Sequence, residues 1–172
     1  SSGYFVDTTN FVVTEEGEET RVNTHTTDNQ ELPSVAMHED GSYVVVWQSN
    51  KQVQSYQNED IFAHCFNADG TENGDEFLVN TEFTGNAQKN PVVASLGSGK
   101  FVVVWQSHFQ VSSTSYYDVY VQKYNGPNNK DGTDSKVNTY TTNEQKDPSV
   151  AHLGAGKFVI AWSSYEQDSD DY

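Results

Sequence analysis

The sequence predicts an all-β protein made of antiparallel four-stranded repeats, and three observations support this fold class. First, Trp47, Trp105 and Trp162 recur at an interval of about 57 residues, and prolines recur with the same spacing. Second, the apolar segments are short and rich in β-branched and aromatic residues. Third, no segment shows the sustained apolar period of about 3.6 residues that marks an amphipathic helix.

Each repeat carries four strand signals bounded by turn residues. The first follows the repeated proline, the second contains the tryptophan, the third starts near a repeated aspartate, and the fourth ends in Val-Asn-Thr. Gly, Asn and Asp between these segments favour tight turns. In the first repeat the four segments are 34–37, 43–49, 60–66 and 76–81.

The second strand of the repeat is apolar on both faces. Tyr43, Val45 and Trp47 point one way and Val44 and Val46 the other, because side chains alternate across a strand. A sheet with one solvated face would alternate apolar and polar residues instead. The strand must therefore be covered on both sides, which favours β-propeller-like blades. A linear β-solenoid or a tandem sandwich array would also cover both faces.

The repeats divide the chain into four predicted parts. An N-terminal strand segment is followed by two full repeats and by a third that is incomplete; the boundaries are 1–20, 21–77, 78–135 and 136–172. Closed propellers have about four to eight blades. We therefore expect the unfinished third blade to expose a strand edge that receives a strand from elsewhere.

The net charge excludes several classes of partner. The chain has 25 Asp and Glu residues against 9 Lys and Arg residues, a formal net charge of −16. Phosphate groups would be repelled, so we predict no nucleic-acid binding.

No apolar run reaches the ~20 residues of a spanning helix, so we predict no membrane insertion. The single cysteine, Cys65, permits no intramolecular disulfide and is expected to be a buried thiol.

The repeat pattern resembles a known group of proteins. The consensus reads V-N-T, then Q-x-x-P-x-V-A, then G-x-F-V-V-V-W-Q-S, then D-I-x-A-x-x-F-N-A-D-G, over about residues 15–172. It is similar to the long tandem repeats of large secreted or surface adhesin-like proteins of bacteria and ciliates. This resemblance implies a non-enzymatic structural or adhesive protein, extracellular or at the cell surface, that forms or decorates a surface assembly or filament. Its partners would be other protein subunits or further repeats of the same chain. A glycan- or calcium-binding propeller-type module is the alternative.

Calcium is the one candidate cofactor, and two segments carry suitable oxygen ligands. In the turn after the third strand, polar side chains alternate in the manner of a calcium loop, where several oxygens converge on one hard cation. The candidate ligands are Asn67, Asp69, Asn73 and Asp75 in this turn, and Asp168 and Asp170 in the acidic C-terminal tail. The same residues also suit a plain hairpin turn and a solvated loop.

Aromatic residues in the loops after the second strands are the candidate ligand-binding residues. They are Tyr56, Phe109, Tyr116 and Tyr117. Aromatic rings beside Asn, Gln and Ser suit the stacking and hydrogen bonding that hold a sugar. Packing against another subunit explains the same rings equally well.

Signals for an enzyme are poor. The five histidines share no repeat position and show no metal-ligand spacing. No nucleophile elbow or phosphate-binding loop is present in the sequence. We therefore assign no catalytic residue.

Overall fold

A computed structural model describes residues 4–7, 12–15, 19–53, 58–82, 84–108 and 116–167. This part of the chain is all-β, as predicted, and contains no helix. Accordingly, no helix in the described ranges is long and apolar enough to cross a membrane. The strands are β1 (Tyr4–Asp7), β2 (Val12–Glu15), β3 (Gln30–Met37), β4 (Tyr43–Asn50), β5 (Glu59–Phe66), β6 (Phe77–Leu78), β7 (Gln88–Gly97), β8 (Lys100–His108), β9 (Tyr117–Tyr124), β10 (Lys130–Lys136), β11 (Gln145–Gly154) and β12 (Lys157–Ser164).

The strands form antiparallel sheets in chain order. Sheet 1 has the order β3-β4-β5-β6, sheet 2 has β7-β8-β9-β10, and sheet 3 has β11-β12. Strands β1 and β2 pair as a separate hairpin. The prediction of antiparallel four-stranded sheets is therefore confirmed. The succession of packed sheets is compatible with the tandem sandwich array that the sequence leaves open.

Sheets 1 and 2 share one pairing register. Trp47 pairs with Phe62 in sheet 1, and Trp105 pairs with Tyr120 at the equivalent place in sheet 2. The rings of each pair are stacked, with centroids 6.4 Å and 6.2 Å apart. Cross-strand aromatic pairs of this kind stabilise a sheet and fix its register.

The second strand of the repeat is buried on both faces in sheet 2, as the sequence predicts. In sheet 1 Tyr43 and Val45 of β4 are only partly buried, and β12 of sheet 3 is mostly exposed. Side chains of both parities in β8 are buried, from Phe101 to Trp105. We call the side of each sheet that carries the tryptophan the Trp face, and the opposite side, with Val44 and Val46 in sheet 1, the Val face. The thiol of Cys65 lies on the Val face, and burial raises its pKa to about 12. The expectation of a buried thiol is confirmed.

Side-chain hydrogen bonds link the repeated polar residues. Each tryptophan donates its Nε1–H to the glutamine that opens the first strand: Trp47 to Gln30 at 3.0 Å, Trp105 to Gln88 at 2.9 Å, and Trp162 to Gln145 at 3.2 Å. These bonds hold the tryptophan ring in one orientation while satisfying its only polar group.

The repeated asparagine and aspartate form a second link, between the third strand and the Val-Asn-Thr segment. Asn80 donates to the Asp60 carboxylate at 2.7 Å and accepts from the Ile61 backbone N–H at 2.7 Å. Asn138 repeats both bonds with Asp118 and Val119, at 2.6 Å and 2.8 Å. All of these groups are buried, so each bond satisfies polar atoms that water does not reach.

A bulge marks the first strand of every sheet, just before its proline. The residue there adopts a left-handed backbone with φ 53° in all three sheets: Leu32, Asn90 and Asp147. The pairing register shifts at the same place in β3, β7 and β11. Asn and Asp tolerate this conformation, whereas a leucine there is strained.

We predict that Leu32→Asn stabilises the protein, by roughly 0.5–1 kcal/mol, because asparagine relieves the left-handed strain. The Leu32 side chain is half exposed, so little burial is lost. Urea unfolding followed by tryptophan fluorescence measures the change. Leu32→Ala is the matched control, since it removes the same side chain without favouring a left-handed backbone, and an equal gain in that variant would contradict the explanation.

We also predict that Asp60→Asn changes how stability depends on pH. Burial is the largest influence on Asp60 and raises its pKa from 3.8 to about 6, partly offset by the hydrogen bond from Asn80. The folded state therefore holds the Asp60 proton more tightly than the unfolded state does, and the wild type loses stability as pH rises from about 4 through 6. The asparagine of the variant carries no proton to lose over this range.

The free energy of unfolding of this variant, relative to wild type, should therefore increase between pH 4 and pH 7. Urea titrations at several pH values measure the difference. Parallel stability curves for the two proteins would contradict the prediction.

Candidate interaction faces

Consecutive sheets pack through opposite faces. The Val face of sheet 1 lies on the Trp face of sheet 2, in one core that joins Val44, Val46 and Ile61 to Phe101 and Trp105. The Val face of sheet 2 lies on the Trp face of sheet 3 in the same way, through the second core. The members of that core are Val92, Ala94, Leu96, Val102, Val104, Val119, Val121, Val137, Val150, Phe158 and Ile160. The two junctions thus repeat one arrangement, a Val face against a Trp face.

Polar contacts repeat across the two junctions as well. The side-chain oxygen of Gln48 in sheet 1 accepts from the Asn90 backbone N–H in sheet 2 at 3.2 Å. The side-chain oxygen of Gln106 in sheet 2 accepts from the Asp147 backbone N–H in sheet 3 at 3.0 Å. Each glutamine therefore binds the bulge of the next sheet. Ser163 occupies the equivalent position in sheet 3.

Two further contacts cross the first junction. The Val93 backbone N–H donates to the Ser34 hydroxyl at 3.3 Å, and the His38 ring Nδ1 shares a hydrogen bond of 2.7 Å with the Ser95 hydroxyl. Burial is the main influence that lowers the pKa of His38. The pair adds a polar contact beside the apolar core of the junction.

The stacking leaves one apolar face open at each end of the array. On the Trp face of sheet 1, Val35 and Met37 are each 64% exposed. On the Val face of sheet 3, Leu153 is 64% exposed and Val159 is 48% exposed. At the equivalent places inside the array, Val93, Leu96 and Val102 are buried. Exposed apolar side chains therefore lie on a Trp face at one end of the array and on a Val face at the other.

We call the part of a sheet formed by its first and second strands the inner half and the part formed by its third and fourth strands the outer half. Residues 19–24 cover the outer half of the Trp face of sheet 1. The Val22 carbonyl lies 2.9 Å from the His64 ring Nδ1, and the Thr24 backbone N–H donates to the Glu76 carboxylate at 2.7 Å. A cavity of about 420 Å³ lies between this segment and the sheet, lined by Glu19, Thr20, Arg21, Val22, Asn23, Gln30, Glu31, Pro33, Val45 and Trp47. Val35 and Met37, on the inner half of the same face, stay exposed.

Two of the candidate calcium ligands of the turn, Asn67 and Asp69, close the hairpin through bonds to Thr71. The Asp69 carboxylate accepts from the Thr71 backbone N–H at 3.0 Å and from its hydroxyl at 2.6 Å, and these bonds lower the pKa of Asp69. Asn67 donates to the Thr71 hydroxyl at 3.0 Å. Asn73 and Asp75 are exposed further along the turn. Among the described residues no group of three or more His, Cys, Asp or Glu side chains is placed to hold a metal ion. Asp168 and Asp170 lie outside the described residues.

The four candidate aromatic residues are only partly described. Tyr56 and Phe109 lie outside the described residues. Tyr116 is exposed, whereas Tyr117 is half buried against His108, with ring centroids 4.8 Å apart. Of the two described candidates, Tyr116 is the more exposed.

Sequence patterns alone did not single out Val35, Met37, Leu153 and Val159 as surface residues. Val35 and Val159 match the repeat, so they resemble core residues of a middle sheet. A signal was present at Met37, where the repeat has Ser95 and His152 in the other copies. An apolar residue at a position that is otherwise polar indicates a different neighbour.

Comparison of the chain with protein-family models, with curated proteins and with solved structures gives no match. Function is therefore inferred from the contacts of this chain.

We predict that Asp69→Asn leaves the melting temperature close to wild type, because its side-chain oxygen still accepts both bonds from Thr71. Asp69→Ala removes the acceptor and should lower the melting temperature. Differential scanning calorimetry with calcium and with a chelator tests the alternative role in the same samples. A rise in melting temperature that requires calcium, and that Asp69→Asn abolishes, would establish a calcium site in this turn.

Proposed function

We propose that this chain is a non-enzymatic, extracellular structural or adhesive module that joins other protein subunits through the two open ends of its sheet array. The observation that carries the proposal is the pair of exposed apolar faces, with Val35 and Met37 at one end and Leu153 and Val159 at the other. Exposed apolar surface of this kind is typical of protein interaction sites. The assembly would be a surface layer or filament.

The internal junctions support a scaffold role. Both contain an apolar core, and both add a glutamine that binds the backbone of the next sheet. Such interfaces restrict movement between neighbouring sheets, because packed cores resist deformation. A chain of sheets joined in this way makes a stiff element, as a structural protein requires.

A propeller-like arrangement of the sheets agrees with two further observations. Both junctions use the same pair of opposite faces, as successive blades of a propeller do. The first strands of consecutive sheets, β3, β7 and β11, also lie in contact in chain order. In a propeller these are the strands that line the central channel.

The strongly acidic composition is consistent with an extracellular surface role. Most carboxylates of the turn between β5 and β6 are exposed, whereas the central strands are almost uncharged. A net charge of −16 keeps such a protein soluble until apolar faces meet. Calcium bound by exposed carboxylates, or a glycan stacked on Tyr116, would add a binding activity to the same scaffold.

The proposal is tested by adding fluorescently labelled chain to the cells that produce the protein. We expect the wild type to be incorporated into material at the cell surface. Met37→Glu and Leu153→Glu should each reduce incorporation, because each places a charge at an apolar contact. Thr133→Glu is the matched control, since it adds the same charge at an exposed position of sheet 2. Label that stays in solution, or incorporation equal in all variants, would overturn the proposal.

A further inference from the structure

We infer that the β11–β12 hairpin of a second copy of this chain docks on the inner half of the Trp face of sheet 1, in a head-to-tail junction. This inference rests on the proposed structural function and names the partner of the two open faces. The junction would repeat the packing that already joins sheet 1 to sheet 2 and sheet 2 to sheet 3.

The two open faces are of opposite kinds. Within the array, a Val face always meets a Trp face. The face left open on sheet 1 is a Trp face, and the face left open on sheet 3 is a Val face. Each open face is therefore the usual partner of the other, and neither is the partner of its own kind.

Only the inner half of the Trp face of sheet 1 is left uncovered. Residues 19–24 align with 76–81 through the repeated Val-Asn-Thr. In sheet 1 the latter segment includes Phe77 and Val79, which pack on the outer part of the Trp face of sheet 2 beside Tyr124. Residues 19–24 cover the outer half of sheet 1 in the same manner. The inner half lacks the cover that a first and second strand would supply.

The β11–β12 hairpin matches the part of a sheet that is missing from this inner half. In the described residues sheet 3 consists of a first and a second strand, β11 and β12. These two strands are equivalent to β3 and β4 of sheet 1, which cover the inner half of sheet 2. A hairpin from a second copy therefore supplies the missing cover beside residues 19–24.

Leu153 and Met37 would meet at the centre of the new junction. At the first internal junction His38 meets Ser95, a polar pair. The residues equivalent to these two at the proposed junction are Leu153 and Met37, which are both apolar and both exposed. Burying them against each other would remove two large apolar side chains from water.

A polar contact is preserved at the proposed junction. Ser149 is equivalent to Ser34, whose hydroxyl accepts from the Val93 backbone N–H at 3.3 Å. The Ser149 hydroxyl would accept from the Val35 backbone N–H of the second copy in the same way. The glutamine contact is absent, because Ser163 stands where Gln48 and Gln106 bind the next bulge. The junction between copies is thus expected to be weaker than the internal ones.

Sedimentation velocity over a range of protein and salt concentrations tests the junction. We expect the wild type and Thr133→Glu to associate, and to do so more strongly at high salt, because copies of net charge −16 repel each other. Met37→Glu and Leu153→Glu should each weaken association about tenfold or more, since each buries a charge at the junction. Circular dichroism confirms that every variant is folded.

Mixing separates a head-to-tail junction from a symmetric one. In an equimolar mixture of the two glutamate variants, the Val face of Met37→Glu and the Trp face of Leu153→Glu are both intact. These two faces can pair once, so the mixture should form a dimer and no larger species.

Ser163→Gln should tighten wild-type association about threefold to tenfold, the effect of one added hydrogen bond. A variant no tighter than wild type would contradict the register of the junction.

Three outcomes would overturn the inference: a wild type that stays monomeric, a single glutamate variant that associates like wild type, or a mixture that forms no dimer. The outcome for the proposed function is separate. Incorporation at the cell surface by a monomeric wild type would leave the structural function in place and rule out the second copy as occupant. Head-to-tail association without surface incorporation would support the second copy as the occupant and rule out the proposed structural function.

Discussion

The packing of a Val face against a Trp face is the interaction on which the rest of the structure depends. A single sheet of this chain has apolar side chains on both sides, so it is stable only between neighbours. Sheet 2 meets this condition, and its central strand is almost fully buried. The end sheets meet it on one side only. The same constraint therefore explains the order of the array and the exposed apolar surface at its ends.

Buried polar residues make this packing specific. The tryptophan–glutamine and asparagine–aspartate bonds occur at the same places in successive repeats, where they fix the orientation of the large rings and tie the Val-Asn-Thr segment to the third strand. The bulge before each proline of sheets 2 and 3 turns a backbone N–H toward the preceding sheet, where a glutamine accepts it. Without these directional bonds, faces made of similar apolar residues would permit several registers.

Much of the fold was predictable because the signals are local and repeated. The tryptophan interval and the alternation of Tyr43 to Trp47 predicted the sheets and their burial on both sides. The structure confirms the sheets, but it covers only sheet 2 on both sides. The candidate ligands were harder to assess, because the residue types of Asn67 and Asp69 suit both a hairpin turn and a calcium loop. The structure adds the bonds to Thr71 that close the turn. The surface role of Leu153 was not predictable, since its sequence position matches the buried Leu96.

By itself, the sequence determined the repeat, the antiparallel strands, the burial of Trp47 and Trp105 and the acidic character, since each follows from residue type and spacing along the chain. Only the tertiary structure decided which face of one sheet meets which face of the next, and hence which apolar residues stay exposed. The physical reason is that burial is a property of neighbours. Val35 and Val93 occupy the same position in their repeats, but a sheet covers Val93 while Val35 faces solvent.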